Sequence, residues 1–360
     1  MNILVYSRRN LYDSPGGDTV QLDQTVAELR KIGVSADIVL DGDKVDFNKY
    51  DLVHFFNIIT CELILKVISK IEIPILISSI YVDYSEYELK ARQGIAGFLF
   101  KNLNPFTIHY IKTVLKELLQ KKIPPAKYLF SGYKKSLKYT IKKSSLILPN
   151  SENEYKRLSS DLDLKFPYMV VPNGIDESTF NKDISPNIKY ENTILCVGRI
   201  EGRKNQLNVI KALKNTPYHL ILIGKASPNH QSYFEKCKSE AGSNVTFIEH
   251  IPQHELSNIY QAARVHILAS WFETTGLVSL EAAIMSCAIV VSDKGDVRDY
   301  FGNHATYCDP ESIDSIRESI EIAYKKGADP ELQRIIKQNY TWKKAAQATK
   351  LAYEKALNNE

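Results

Sequence analysis

The chain has 360 residues, 44% hydrophobic and 24% charged, a balance that fits a folded globular protein with no low-complexity tract. That length exceeds one ordinary core, so two domains are expected, and no apolar run approaches the ~20 residues that a bilayer span needs. The formal net charge is +4, and the five scattered cysteines include no C-x-x-C pair, which fits reduced thiols in a cytosol and argues against a zinc cage.

Met1 to Tyr6 has no basic start and no cleavage site, so it reads as a first strand rather than a secretion signal. A Gly16-Gly17 loop follows, then a helix over 18–32 and strands over 35–40 and 52–56. A helix over 62–70 and a strand over 74–79 continue the alternation. Two glycines after a first strand allow backbone to approach a ligand, or make a plain turn. No G-x-G-x-x-G accompanies them, so an ordinary dinucleotide fingerprint is absent.

Residues 84–143 break the rhythm with a long, mostly helical insertion punctuated by Pro105 and Pro124-Pro125. Between 101 and 143 there are 11 lysines and one acidic residue, Glu117, so this segment carries +10 and the rest of the chain −6. Aromatic and aliphatic residues are interleaved with the lysines, among them Phe106, Tyr110, Leu115, Leu118, Leu119, Phe130 and Tyr139. Two readings stand side by side: an interfacial surface for anionic lipid or a polyanionic acceptor, or a solvated helical pair. Nucleic acid is not an expected partner, because no binding motif accompanies the charge.

Alternation resumes with a strand over 146–149, a helix over 151–160 and a strand over 168–171. This predicts an α/β, doubly wound parallel sheet. Pro172-Asn-Gly-Ile-Asp176 and the polar stretch 181–192 read as a hinge. A second run of strands is expected over 193–197, 219–223, 245–248, 265–268, 288–291 and 305–307. Helices lie between them, with another over 313–325 and a last one over 341–357. The expected domains are thus residues 1–172, completed by 341–360, and residues 173–340. Two such halves leave a cleft at the carboxyl ends of their strands, where ligands bind in sheets of this kind.

Two clusters in the second half carry chemistry. Glu273-Thr-Thr-Gly276 follows the strand over 265–268 and opens a helix placing Glu281 roughly two turns inside. Thr274, Thr275 and Gly276 bring backbone N–H groups to a helix N-terminus, where phosphate is favoured. The other cluster is Val197-Gly198-Arg199-Ile-Glu-Gly202-Arg203-Lys204. An Arg fork and a Lys point charge beyond one strand form a pyrophosphate clamp, whereas either alone is an ordinary basic turn.

These motifs resemble the retaining nucleotide-sugar glycosyltransferases of GT-B fold called group 1, or family 4. The resemblance rests on Val197-Gly-Arg199 with Lys204, on the run Ile251-Pro-Gln-His-Glu255 to Ala263, and on Glu273-x7-Glu281. Asp293-Lys-Gly295-Asp-Val-Arg-Asp299, Pro172-Asn-Gly-Ile-Asp176 and Trp342 with its helix also match. It covers the second half strongly and the first half in outline. It implies two Rossmann-like domains and a C-terminal helix crossing back to the first. It also implies sugar transfer from a nucleoside-diphosphate-sugar to a glycan or a polyprenyl- or lipid-linked acceptor in polysaccharide or lipopolysaccharide synthesis.

Carried over residue by residue, Arg199 and Lys204 would hold the diphosphate, Glu281 the ribose hydroxyls, and Glu273 the transferred sugar. Thr275, Gly276, Leu277 and Ile251 would line the donor site, with Gly16 and Gly17 meeting phosphates from the first domain. No metal or other cofactor is implied. The family's E-G-F-G is here Glu273-Thr-Thr-Gly276, and its first-domain His is absent from the 78–86 segment. Tyr81, Asp83 and Glu86 stand there instead, as candidates to orient the acceptor or take its proton, Asp83 first among them. The other reading is that Tyr81 and Tyr84 pack under the insertion. His54 is a further acceptor-side candidate, with a core histidine as the plainer reading. Asp41-Gly-Asp43 and Asp161-Leu-Asp163 read as loop or helix-end features rather than metal-binding D-x-D motifs. A non-catalytic GT-B scaffold or a nucleotide-sugar epimerase is the alternative function. The implied location is the cytoplasm, with residues 101–143 offering a contact to the inner face of the cell membrane.

Overall fold

The structure, a computed structural model, describes residues 1–13, 15–90, 103–181, 185–227, 229–249 and 251–358. It divides into two compact units, Met1–Asn173 with Trp342–Glu360, and Gly174–Thr341.

The first unit runs β1 (Asn2–Ser7), α1 (Gly17–Lys31), β2 (Ser35–Leu40), β3 (Leu52–Phe56), α2 (Cys61–Val67) and β4 (Ile75–Ser78). It continues with α3 (Ser85–Lys90), α4 (Pro105–Leu119), α5 (Ala126–Lys143), β5 (Leu146–Leu148) and α6 (Glu152–Leu162). The sheet order is β2-β1-β3-β4-β5, with every pairing parallel. All five residues of β3, Leu-Val-His-Phe-Phe, are buried, as a central strand covered on both faces requires. The chain leaves β1 for β2 on one side and returns to β3 on the other. Loops after β1 and β3 therefore diverge at the carboxyl edge, the usual place for a ligand crevice.

The expected strand over 168–171 is reduced to one bridge, Ile147 to Tyr168. The Met169 and Val171 amides donate to the Ile147 and Pro149 carbonyls at 3.0 and 2.9 Å, but Pro149 has no N–H to return the next bond, so the ladder is not completed. The basic segment also differs from a simple insertion. Parallel β4 and β5 require a crossover, and α5 supplies it, burying Tyr128, Tyr133, Leu137 and Ile141 in the sheet core. Among the described residues, α3 and α4 are the helices of this stretch that lie outside the regular pattern. The Tyr110 hydroxyl donates to the Leu129 carbonyl at 2.9 Å and ties α4 to α5.

The second unit runs β6 (Ile194–Val197), α7 (Gln206–Ala212), β7 (Leu220–Ile223), α8 (Gln231–Glu240), β8 (Val245–Ile248), α9 (Gln253–Ala262) and β9 (Val265–Leu268). Then come α10 (Leu277–Ile284), β10 (Ala288–Ser292), α11 (Val297–Phe301), β11 (Thr306–Cys308), α12 (Ile313–Lys326) and α13 (Pro330–Asn339). The strand order is β11-β10-β9-β6-β7-β8, again parallel. Its switch point lies between β6 and β9. Helix α13 was not among the sequence expectations, although Asp329 caps it and Pro330 starts it, the usual opening pair.

Trp342–Leu357 returns to the first unit as a C-terminal helix, with Trp342, Ala346 and Tyr353 buried. All five cysteines are buried and free. Among the described residues no helix is long and apolar enough to cross a membrane.

Candidate functional site

The second sheet's order places the loop after β6 beside the loop after β9. Glycine makes the first of these approaches possible. Gly224, at the end of β7, has φ +151, and a Cβ there would stand 2.0 Å from the Gly198 carbonyl oxygen. Any side chain at 224 would push the β6 loop away. Beyond Gly198, Arg199 is exposed at the carboxyl edge. Glu201 turns inward, taking two bonds from Arg203 Nη2 at 3.0 and 3.1 Å and one from the Ser227 hydroxyl at 3.0 Å. Burial alone would raise its pKa, but the Arg203 and Arg199 charges and these bonds hold it below the usual value.

That anchored turn delivers Lys204, whose N–H donates to the Glu201 carbonyl. The two loops are stitched by backbone as well, with Trp271 N donating to the Arg203 carbonyl at 2.9 Å. Side chains then meet: Lys204 Nζ lies 2.5 Å from Glu273 Oε1, both half-buried. Glu273 is itself held from behind. Its carbonyl accepts from Asp296 N at 2.8 Å, and a Cβ on Gly295 (φ +80) would fall 2.1 Å from that same oxygen. The 293–299 loop thus grips the Glu273 backbone through a position open only to glycine.

Gly276, at φ +71, caps α10. Thr275 is buried, and Leu277 begins the helix. Glu281 sits only just over one turn inside, nearer the N-terminus than expected from sequence, because α10 starts at Leu277. Its side chain is 9% exposed. Gln253 Nε2 donates to it at 3.2 Å, and the Tyr260 phenol is its other polar neighbour. Burial pushes the carboxyl up to about 8, so it is protonated at neutral pH. Across the helix, Ser279 Oγ lies 3.1 Å from His266 Nε2, and burial lowers that imidazole to about 3, keeping it neutral. Ile251 precedes α9 and packs on the same core. Spacing alone offered no signal for the roles of Gln253, Tyr260 or Gly224, because their neighbours Glu281 and Gly198 lie on other elements.

The first-unit candidates fare differently. Gly16 is the extended N-cap of α1, and Gly17 is its first residue, where a Cβ would meet nothing within 4 Å. Arg8, in the loop after β1, pairs bidentately with Asp18 at 3.1 and 3.2 Å beside these glycines. Asp83 Oδ1 accepts from Ser85 N at 2.8 Å, a helix-start cap. Glu86 pairs with Lys90 along α3.

Tyr81 does not face an open site. It is buried, its hydroxyl donates to Asp161 at 2.9 Å, and burial with the Asp161 charge raises its pKa. His54 is likewise a core residue. It has no exposed surface, and its ring nitrogens lie 2.8 Å from the Tyr353 hydroxyl and 2.9 Å from Ser78 Oγ. Burial lowers it to about 3. His54→Ala is expected to lower stability in urea unfolding by about 2–4 kcal/mol, since it opens a cavity and strips two buried hydroxyls of a partner. A loss under about 0.5 kcal/mol would return His54 to the candidate set.

Asp41 accepts from Tyr6 and Lys66, and Asp43 from the Leu40 amide. Asp163 is a left-handed C-cap of α6. Both D-x-D pairs thus serve local structure.

Residues 177–342 match the family model described as Glycosyl transferases group 1. The chain is 25% identical over 201 residues to the serotype-specific mannosyltransferase WbdA of Escherichia coli, a match covering 53% of this chain and 24% of that protein. The whole chain superposes on sucrose-phosphate synthase from Thermosynechococcus elongatus, with TM-score 0.77, 14% identity and 100% of each chain covered. Anabaena HepE in complex with UDP-glucose gives TM-score 0.69 at 14% identity, again over 100% of each. At such identities the likeness establishes the architecture alone, and that architecture is GT-B.

Proposed function

Residues 177–342 belong to the group 1 glycosyl transferases, and on that premise we propose that this chain moves a sugar from a nucleoside-diphosphate-sugar to a glycan or lipid-linked acceptor. Cell-surface polysaccharide synthesis is the setting that fits the relationship to an E. coli mannosyltransferase of stated serotype specificity. The chain spans about a quarter of the length of that relative, so donor and acceptor are this chain's own question.

One observation carries the reading: Lys204 and Glu273, 69 positions apart in sequence, meet at the switch point of the second sheet. A departing nucleoside diphosphate gathers negative charge, and cations fixed in advance stabilise it without reorganising. Lys204, held by Glu273 and by its own anchored turn, is such a cation. Arg199, exposed at the same edge, supplies a second. Glu281 is buried one turn into α10, where a carboxyl can hydrogen-bond a ribose diol. Glu273 is placed to contact hydroxyls of the sugar beside the phosphate. With the charge met by side chains, transfer is expected without a metal, and the resemblance to the retaining group 1 enzymes implies retention at the anomeric carbon.

Turnover of a nucleotide-sugar panel by wild type and by Arg199→Ala, Lys204→Ala and Glu273→Ala tests the assignment. Rates equal to wild type in all three would reject it. Proton NMR of the product reports the anomeric outcome, and an inverted product would overturn retention. Chelator should leave the rate unchanged; loss on chelation with recovery on added Mg²⁺ would overturn metal independence.

A further inference from the structure

Fourteen large hydrophobic side chains are exposed among the described residues, and seven of them lie between 103 and 130. Ile111, Leu115, Leu118 and Leu119 recur at i, i+4, i+7 and i+8, which is one continuous stripe along α4. Leu119 is 85% exposed. The stripe does not face the core. That role belongs to Phe106, Tyr110 and Val114, which turn toward α5 and the sheet. Helix α4 is therefore apolar on two faces, and its neighbours inside the protein account for only one. At the end of the hairpin the pattern continues with Ile123 at 78% and Phe130 at 91% exposure.

Charge identifies what this surface suits. Exposed Lys116, Lys121, Lys122 and Lys127 flank the apolar residues. The one acidic side chain between 103 and 143, Glu117, is turned inward and is 7% exposed. The outer face of the hairpin is thus apolar and positive with no exposed acid of its own.

We propose that the outer face of the α4–α5 hairpin docks on an anionic bilayer surface. Leu118, Leu119, Ile123 and Phe130 enter the interface, and the flanking lysines lie at the level of the lipid phosphates. A second copy of the chain is a poorer occupant, because two-fold pairing sets the same lysines against one another. The proposal does not rest on the sugar-transfer reading, and its measurement uses no sugar.

The test is flotation of the full chain with vesicles of phosphatidylcholine with and without about 30% phosphatidylglycerol, at about 0.1 and 0.5 M NaCl. Wild type is expected to float with the anionic vesicles at low salt, at least about tenfold more than with neutral ones. Leu119→Ser/Ile123→Ser/Phe130→Ser should cut that partition about tenfold or more. Lys121→Glu/Lys122→Glu should do the same and remove the salt dependence. All five positions are exposed, so both variants should keep the wild-type melting temperature; if the apolar variant melts early, the charge variant decides. Equal partition onto neutral and anionic vesicles, or unchanged partition of the folded variants, overturns the proposal. So does a wild-type dimer that the apolar variant converts to monomer while its vesicle binding stays the same.

Discussion

Lys204→Ala is expected to lower kcat/KM by about 10²–10³-fold, the usual loss when one preorganised charge is removed from a developing anion. Two facts make this residue the most exposed to test. Its ammonium is already positioned, 2.5 Å from Glu273, on a turn anchored by the buried Glu201–Arg203–Ser227 network. It also bears the charge that the proposed leaving group must meet. The fold should tolerate the change, because a half-buried ion pair contributes on the order of 1 kcal/mol or less.

Glu273→Ala should also reduce turnover, by loss of a sugar contact and of the lysine's partner. The double variant is expected to cost less than the product of the two single losses, because the pair acts as one unit. Steady-state kinetics on the three variants decides the matter. A Lys204→Ala enzyme within about threefold of wild type would remove the diphosphate role.

Glu281→Gln is expected to have opposite effects on stability and on binding. The carboxyl has a pKa of about 8 in the folded chain against a reference of 4.5. Below pH 4.5 it is protonated in both states and costs nothing. As pH rises from there, the unfolded chain releases this proton while the folded chain keeps it, so stability falls, until above about 8 both have released it and the loss levels off. The full penalty is on the order of 4–5 kcal/mol, reached just above pH 8.

Glutamine keeps the shape and an oxygen that accepts from Gln253, without ever ionising. The variant should therefore melt several degrees above wild type at pH 8 and level with it near pH 4.5. Its thermal shift on adding a nucleoside diphosphate should shrink, because the proposed ribose contact is weakened. Melting curves across pH, with and without nucleotide, check both halves. A stability gain independent of pH would show that ionisation of Glu281 is not the cause.

Much of the fold was legible beforehand. The strands Ser35–Leu40, Leu52–Phe56, Val245–Ile248 and Val265–Leu268 end where expected. Leu52–Phe56 and Val265–Leu268 are buried along their whole length, and a strand covered on both faces reads as a short, mainly apolar run. Ser35–Leu40 and Val245–Ile248 are edge strands in which apolar residues mix with exposed polar ones. The strand expected over 168–171 shrank to one bridge because the neighbouring strand runs into Pro149, which has no N–H to pair with it, and the propensity of 168–171 does not register its neighbour. Helix α13 was passed over although its Asp-Pro start was in view.

The site divides along similar lines. Arg199, Lys204, Glu273 and Glu281 stand out as candidates from residue type and position relative to strand ends. Tyr81 and His54 also lie near strand ends, and for His54 a core histidine was the plainer reading. Tyr81 is instead claimed by Asp161, 80 positions away, and His54 by Tyr353, 299 positions away. No local pattern announces such partners, so an ionisable residue near a strand end reads the same whether it faces a ligand or the core.

By itself the sequence determined the alternation of strand and helix, the two α/β halves, and which loops carry cations and carboxylates, because apolar periodicity and turn chemistry act over a few neighbouring residues. Tertiary structure decided the rest. It set strand order, and so brought the loops after β6 and β9 together. It made Gly224 and Gly295 indispensable through backbone contacts no side chain could share. It turned Glu117 inward and left the α4 stripe outside. Those outcomes depend on residues far apart in the chain competing for the same space and the same hydrogen bonds, and that competition begins only once the chain has folded.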